Sequence, residues 1–459
     1  MSDFSCTELL SCPLPEDILR AKISGDLDWA LRLIDARLTN ELLPALMKER
    51  LELERILIKR ALRRYPYDRQ RAIEVARGRI EGFTGEELDA YELNGDVDYI
   101  YVNGEKRYLS SFAGALIKMH PALEKRKISS PEPDDGVDLE RYISEIKREK
   151  SAAWRFKIKS SLRIEDECFE PGALYTVHIP VPAACAQQPE DEISIKADAD
   201  ALIAPPDAMH RAVCYRRRLE KNAPFEVEFS FTSRHQYVSP MSDEARIVYP
   251  NVPAPCADDL SEQLPHICFT PFLKALARQI AGEETRPLYL AKRVYDYVTS
   301  HVRYSFMRSY ILIDRHAEYA AANLKGDCGI QAILFITLCR ILGVPARWQS
   351  GLTVDKFSTG DHDWAQFWTE EFGWLFADPS YGGGAYRRGN FEKREFYFGN
   401  LDPFRMIANR RYFSDFDEPK RFVRCDPCDS QDGEVESEKE GLDSNCYDKT
   451  DTTLEFIRL

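Results

Sequence analysis

The sequence predicts an α+β protein with a helical N-terminal region, a β-rich middle segment and a mixed C-terminal half. Apolar residues recur at helical spacing across 46–65. Segments of strand length fill much of 151–265 and are separated by proline-rich breaks. From about residue 270, helical and strand-like segments follow one another. A chain of 459 residues with this mixture favours about three domains.

The first predicted domain, 1–123, is mainly helical. It also contains a predicted β-hairpin within 98–109, because Asn103-Gly104 is the preferred pair for a tight two-residue turn. The charged, proline-containing segment 124–150 is predicted to be a linker.

The β-rich segment 151–265 is predicted to form a β-sandwich-like domain, followed by a mixed domain of helices and strands at 266–424. The last segment, 425–459, contains eleven acidic and three basic residues, a net charge of −8 out of −14 for the whole chain. Because it is also poor in apolar residues, we expect it to be a flexible tail.

The composition is that of a globular protein, with 44% hydrophobic and 30% charged residues. The N-terminus lacks a basic and an apolar leader region, and no window is apolar enough to span a membrane. We therefore expect a cytoplasmic protein with no membrane partner, in which most of the twelve cysteines are free thiols. No dense basic patch suggests nucleic acid.

One apolar helix is predicted to carry a cysteine at its first turn. The segment 326–347, GDCGIQAILFITLCRILGVPAR, predicts a helix that begins at Cys328, with Gly343 after its end and Pro345 blocking continuation. The N–H groups of a first turn favour a negative charge, so a thiol there ionises more easily and becomes a nucleophile. The same N–H groups can receive an oxyanion, and Gly329 leaves the approach free of side chains.

A histidine and an aspartate downstream are the predicted partners of this thiol. Two strand-like runs, 362–368 and 373–380, flank a turn. Folding this hairpin about Glu370 places His362 opposite Asp378, where Cβ atoms are about 5 Å apart. A carboxylate there can accept from one imidazole nitrogen and orient the other toward the thiol.

Two other carboxylates, Asp361 and Asp363, compete for His362. As its neighbours along the strand they project to the opposite face, so Asp378 is preferred.

These segments, in this order, resemble the transglutaminase-like core of the papain-like cysteine enzymes. The resemblance rests on the cysteine helix with its G-V-P-A-R turn, on HDWAQFW and on GWLFADPSYG, within about 270–400. It implies an antiparallel sheet packed against the cysteine helix, with Cys328 as nucleophile, His362 as general base and Asp378 as orienting group. It also implies an upstream side chain that completes the oxyanion hole, for which Tyr304 is the candidate. Trp348, directly after the turn, is a candidate for the cleft wall.

The resemblance implies a cysteine enzyme that cleaves or transfers at amide bonds of a peptide or protein through a thioester. Hydrolysis is slightly favoured over amine transfer, because no dedicated amine site is visible in the sequence. The longer chain also resembles bacterial proteins with this core. A non-catalytic peptide-binding module on the same core is the alternative, and a structural protein assembled through 13–120 is a third.

No cofactor and no metal are predicted. Cys425 and Cys428 form one CxxC pair without the second pair of a paired-CxxC zinc site, so we expect them to be incidental thiols. The oligomeric state is left open by the sequence.

Overall fold

The structure is a computed structural model, and it describes residues 4–128 and 137–459. By its contacts the chain divides into two compact units. The first unit contains the described residues up to Ile128, together with Leu264–His266 and Arg303–Asp327. The second contains the described residues from Val137 to Gln263, together with Ile267–Val302 and Cys328–Leu459.

The described residues form fifteen α-helices and seventeen β-strands. The helices are α1 (Cys6–Ser11), α2 (Glu16–Ser24), α3 (Leu27–Leu38), α4 (Ala45–Arg64), α5 (Arg69–Arg77), α6 (Gly85–Leu93), α7 (Phe112–Met119), α8 (Pro121–Glu124), α9 (Leu139–Glu149), α10 (Pro271–Ala281), α11 (Pro287–His301), α12 (His316–Asn323), α13 (Cys328–Ile341), α14 (Pro379–Arg387) and α15 (Phe391–Phe396). The strands are β1 (Tyr99–Val102), β2 (Glu105–Tyr108), β3 (Ser151–Ile164), β4 (Ala173–Pro180), β5 (Ser194–Lys196), β6 (Leu202–Ile203), β7 (Ala212–Leu219), β8 (Phe225–Gln236), β9 (Arg303–Tyr304), β10 (Lys325–Gly326), β11 (Ala346–Val354), β12 (Thr359–Thr369), β13 (Gly373–Ala377), β14 (Phe398–Gly399), β15 (Arg405–Asn409), β16 (Glu434–Ser437) and β17 (Tyr447–Arg458).

The first unit is mainly helical, as predicted, and its apolar helix faces form two hydrophobic cores. The predicted hairpin is confirmed, because β1 pairs with β2 in antiparallel register. Its turn residues Asn103 and Gly104 have φ angles of 51° and 87°, and this left-handed pair is the one that a type I′ turn requires.

The predicted linker, 124–150, falls partly outside the described residues. Within its described part, Leu139–Glu149 is an amphipathic helix, α9, with Tyr142, Ile143 and Ile146 buried. The linker prediction is wrong for this helix, because its apolar side chains are packed rather than solvated.

The β-rich middle segment forms two four-stranded antiparallel sheets in the second unit. Their strand orders are β16-β4-β7-β6 and β17-β3-β8-β5. In each sheet one edge strand comes from the C-terminal segment, more than 200 residues away in the sequence. The middle segment is therefore β-rich as predicted, but its sheets are completed by the chain's last residues.

The prediction of a flexible tail at 425–459 is wrong. Strand β17 pairs with β3 from Tyr447 opposite Ile164 to Arg458 opposite Trp154. A disulfide between Cys168 and Cys446 ties the start of β17 to the segment after β3. The segment is acidic and poor in apolar residues, but the backbone hydrogen bonds between two β-strands do not require apolar side chains.

The cysteine helix α13 packs against the third sheet of the second unit. This sheet has the order β14-β13-β12-β11-β15, and all of its neighbouring strands are antiparallel. Phe335 of α13 meets Phe367 of β12 edge to face, with ring centroids 5.9 Å apart. Every residue of α13 from Cys328 to Arg340 is buried. The predicted arrangement of a helix on an antiparallel sheet is thus confirmed.

Within the described residues, no helix combines the length and the hydropathy that crossing a bilayer requires. Cys168 and Cys446 form a disulfide, and the other ten cysteines are not disulfide-bonded. Structural disulfides are typical of oxidising compartments, so the cytoplasmic location stays a prediction.

Candidate active site

Cys328 is the first residue of α13 and is 8% exposed. Its Sγ donates to Oδ2 of Asp363, 3.3 Å away. Asp363 lies on β12 directly after His362, so the thiol is brought to the strand that carries the predicted base.

His362 and Asp378 are brought together, but not in the predicted register. The structure pairs Thr369 with Gly373 and Ala365 with Ala377, so the hairpin is centred one residue later than predicted. Asp378 directly follows β13. In this register it lies opposite Trp364, two residues after His362. A shift of two residues keeps side chains on the same face, and diagonal neighbours remain within reach. Nε2 of His362 accordingly lies 2.7 Å from Oδ2 of Asp378.

The physical reason for the shifted register is the turn. Residues 370–372 form a three-residue loop, and Gly373 closes it with a φ angle of 71°. The N–H of Phe372 donates to Oγ1 of Thr369 across this loop. Three-residue hairpins use a left-handed residue at this position, which glycine adopts without strain.

Each carboxylate oxygen of Asp378 has a separate task. Asp378 is the N-cap of α14, and its Oδ1 accepts from the N–H of Tyr381 at 2.9 Å and from the hydroxyl of Ser380 at 3.1 Å. Its Oδ2 accepts from His362 and, at 2.7 Å, from Nη1 of Arg405. Four donors therefore fix the plane of this carboxylate, and with it the plane of the imidazole.

Arg405 is the fully buried counter-ion of this site. Besides Asp378 it binds Asp402, with Nη2 at 2.6 Å and Nε at 3.0 Å from Oδ2. Its guanidinium lies 4.7 Å from the ring centroid of Tyr381 and 5.1 Å from that of Trp364. Planar guanidinium groups suit such fork-like pairing and stacking on aromatic faces.

Asp378 is ionised in this environment. Burial by itself would raise its pKa, but the charges of His362 and Arg405 and the hydrogen bonds to the carboxylate outweigh burial and hold its pKa below the ordinary value. Because an ionised carboxylate only accepts, Nε2 of His362 carries the hydrogen. Nδ1 is then the basic nitrogen of the imidazole.

Tyr381 lies beside the imidazole of His362. Its ring centroid is 4.5 Å from that of His362. Burial raises the pKa of its hydroxyl, and the negative charge of Cys328 is among the smaller causes. The tyrosine therefore helps to surround the site with apolar and aromatic surface.

On the other side of β12, the C-terminal segment reaches the site. Nε2 of Gln431 donates to Oδ1 of Asp363 at 2.7 Å, and also to the carbonyl oxygens of His362 and Gly351. The buried side chain of Asp429 lies against Asp363 and accepts a hydrogen bond from the hydroxyl of Ser350 at 2.9 Å. The carboxylate of Asp363, which accepts from the thiol of Cys328, is therefore held by hydrogen bonds from the C-terminal segment.

The remaining predicted site residues are located as follows. Gly329 is buried in the first turn of α13. Tyr304 is in β9, opposite Gly326 of β10, and belongs to the first unit. Trp348 is in β11, 2% exposed, with its ring centroid 5.0 Å from that of Tyr412. Their roles in an oxyanion hole or cleft stay predictions.

Cys425 and Cys428 are buried rather than part of a mobile tail. Sγ of Cys425 lies 3.5 Å from Oδ1 of Asp443, and Sγ of Cys428 lies 3.8 Å from the hydroxyl of Tyr412. Burial raises the pKa of Cys428, so it is a packed thiol.

Sequence reasoning missed Arg405, Asp402 and Gln431. The first two had a signal, because opposite charges three residues apart lie in an otherwise apolar run, 401–408. Gln431 had none, since its own segment is polar and its contacts are with strands far away in the sequence.

Comparison with known proteins comes to the same region. Residues 274–379 match the Transglutaminase-like superfamily. No match was found among curated protein sequences. Two solved structures are similar over most of their own length. One, described as "a Putative Cysteine Protease" from Cytophaga hutchinsonii, is 11% identical, with 67% of this chain and 90% of that chain covered and a TM-score of 0.39.

The other is the periplasmic domain of TgpA from Pseudomonas aeruginosa, which is 14% identical. It covers 55% of this chain and 96% of its own, with a TM-score of 0.28. The family match spans α13, β11, β12, β13 and the first residue of α14, and so includes Cys328, His362 and Asp378. Residues 274–379 form a domain of the transglutaminase-like superfamily.

Proposed function

We propose that this protein is a cysteine enzyme that attacks amide carbonyls of a peptide or protein substrate. Cys328 is the nucleophile, His362 the general base and acid, and Asp378 the orienting carboxylate. The observation that carries the proposal is the imidazole of His362, bound to Asp378, which Arg405 also binds, while the next residue, Asp363, accepts from the thiol at the N-terminus of α13. A packed structural cysteine would need none of these groups.

The first half of the reaction transfers one acyl group to sulfur. Nδ1 of His362 takes the proton of Cys328, and the sulfur attacks the carbonyl carbon to form a C–S bond. The N–H groups of the first turn of α13 would receive the negative oxygen. The imidazolium then gives its proton to the departing nitrogen as the C–N bond breaks, which leaves a thioester and a free amine.

The second half regenerates the thiol. His362 takes a proton from water or from a substrate amine, which attacks the thioester carbon and breaks the C–S bond, and the imidazolium returns that proton to the departing sulfur. Water gives a carboxylic acid, and an amine gives a new amide. We favour hydrolysis, because no dedicated amine site has been identified in the chain.

The second candidate function is a non-catalytic peptide-binding module on the same core. One observation favours it: the thiol of Cys328 donates a hydrogen bond to the carboxylate of Asp363. An enzyme has to break this hydrogen bond before the sulfur can attack, whereas a binding module has no such requirement.

A peptide carrying an electrophile in place of its scissile amide, followed by peptide mapping, separates the two functions. We expect covalent labelling at Cys328 and none in Cys328→Ala or His362→Ala. Cys339 is the matched control, because it lies on the same helix and is fully buried. Cys339→Ala should label like the wild type. Labelling that does not depend on His362 would favour the binding module.

The two possible acceptors are separated by a second assay. Glutamine-containing peptides are incubated with a biotinylated primary amine, and the products are identified by mass. Cleaved or deamidated peptides would support hydrolysis, and biotinylated peptides would support amine transfer.

A further inference from the structure

We infer that Gln431 is a positioning residue of the active site, through which the C-terminal segment 425–459 holds the strand that carries His362 and Asp363. This inference rests on the proposed function, since it assigns a role at the same site. It extends the site beyond the superfamily domain at 274–379.

The side-chain amide of Gln431 meets three acceptors at once. Its Nε2 lies 2.7 Å from Oδ1 of Asp363, 3.0 Å from the carbonyl oxygen of His362 and 3.1 Å from that of Gly351. Gly351 is the residue that pairs with His362 across β11 and β12. One amide group therefore clamps two strands at the level of the predicted base.

The backbone pairing of β11 is irregular next to His362, so additional hydrogen bonds can stabilise it there. The pairing of β11 with β15 shifts register between Ser350 and Gly351. A side chain at Gly351 would meet the carbonyl oxygen of Met406 at 1.9 Å, so only glycine fits the close approach of β15. A bulge weakens the ladder locally, and the Gln431 amide supplies hydrogen bonds there.

Asp363 is the second target of the clamp. Burial, and then the charges of Asp363 and Asp426, raise the pKa of Asp429 well above its ordinary value. The buried Asp363 forms a side-chain hydrogen bond with Asp429. It accepts from the thiol of Cys328 through Oδ2 and from Gln431 through Oδ1.

The loop that carries Gln431 is itself well anchored. The N–H of Ser430 donates to Oδ1 of the buried Asn409 at 3.1 Å, and the carbonyl oxygen of Gly433 accepts from the hydroxyl of Tyr447 at 3.1 Å. Strand β16 begins directly after this loop, and its pairing with β4 fixes the loop's end. A donor on such a support can determine the position of the atoms it binds.

The test measures the rate of Cys328 alkylation by iodoacetamide across pH, with peptide mapping, in two variants. Gln431→Met keeps the volume of the side chain but lacks the donors, and we expect the rate at neutral pH to fall about tenfold. Gln431→Glu places a second carboxylate against Asp363 and two carbonyl oxygens. We expect its rate profile to move to higher pH by about one unit, a tenfold change in the underlying equilibrium.

A stability-matched control separates positioning from general loosening of the C-terminal segment. Val435→Ala opens a cavity in β16, at a fully buried residue opposite Val177, without touching the site. We expect a lower melting temperature and an unchanged rate profile for this variant.

Two results would overturn the inference and leave the proposed function standing. In one, the Gln431 variants keep the wild-type profile while wild-type Cys328 is alkylated faster than the other thiols. In the other, Val435→Ala moves the profile as much as they do. If wild-type Cys328 reacts no faster than the other thiols, the proposed function fails and this inference fails with it.

Discussion

Arg405→Met should lower the free energy of unfolding of the second unit by about 3–5 kcal/mol. Methionine keeps much of the aliphatic volume of the arginine side chain but lacks its positive charge. Asp378 and Asp402, both buried, would then lose their shared cation. Removing one partner of a buried ionic cluster leaves uncompensated charge, which costs far more than the loss of an exposed pair.

Urea unfolding followed by tryptophan fluorescence measures this effect, because five of the six tryptophans lie in the second unit. Arg411→Met is the matched control, since Arg411 pairs with Asp258 at 3.0 Å but is half exposed. It should cost less than about 1 kcal/mol. A loss in Arg405→Met no larger than in Arg411→Met would contradict the assigned role of the buried cation.

Asp378→Asn should slow the reaction of Cys328 with the peptide electrophile by on the order of 10³-fold. The amide is nearly the same shape as the carboxylate, so the N-cap of α14 can still form. It is neutral, however, and can present an N–H to Nε2 of His362. The imidazole then loses its orienting acceptor and the charge that stabilises its protonated form.

Asp402→Asn is the matched control for this variant. It neutralises the other carboxylate on Arg405 but leaves the contact between His362 and Asp378 unchanged. We expect a loss of stability with a much smaller loss of reactivity. Equal losses of reactivity in the two variants would show that the charge of the cluster, and not the contact with His362, is what matters.

The effect of Asp378→Asn on the free energy of unfolding should depend on pH. The pKa of Asp378 is lower in the folded protein than in the unfolded chain, because the charges of His362 and Arg405 outweigh burial. Its contribution to stability is thus complete above the unfolded pKa and is lost as the pH falls. The difference in free energy of unfolding between wild type and Asp378→Asn should be largest near neutral pH and shrink in acid.

The sequence alone predicts the parts of the site that depend on local chemistry. Helix α13 begins at Cys328 as predicted, and Gly343 after its end has a φ angle of 78°. Both features follow from residues within one helix and its caps. The hairpin that carries His362 and Asp378 is also visible in the sequence, although its register is wrong by two residues.

The parts that the sequence could not predict depend on partners far along the chain. The low apolar content of the acidic segment 425–459 predicts a mobile tail. The sequence does not show that its backbone pairs with β3 and β4. Its contribution to the site through Gln431 was invisible for the same reason. The charged pair Asp402 and Arg405 stands out in its apolar run, but only the structure shows that Arg405 also binds Asp378.

The proposed chemistry requires that the thiol of Cys328 and the imidazole of His362 act together. The decisive measurement is the rate of Cys328 alkylation near neutral pH, in the wild type and in His362→Ala. Cys256, a free and exposed thiol of the same chain, is the internal reference. We predict that wild-type Cys328 reacts faster than Cys256 and that His362→Ala abolishes this advantage. Equal rates of Cys328 alkylation in the two proteins would contradict the account.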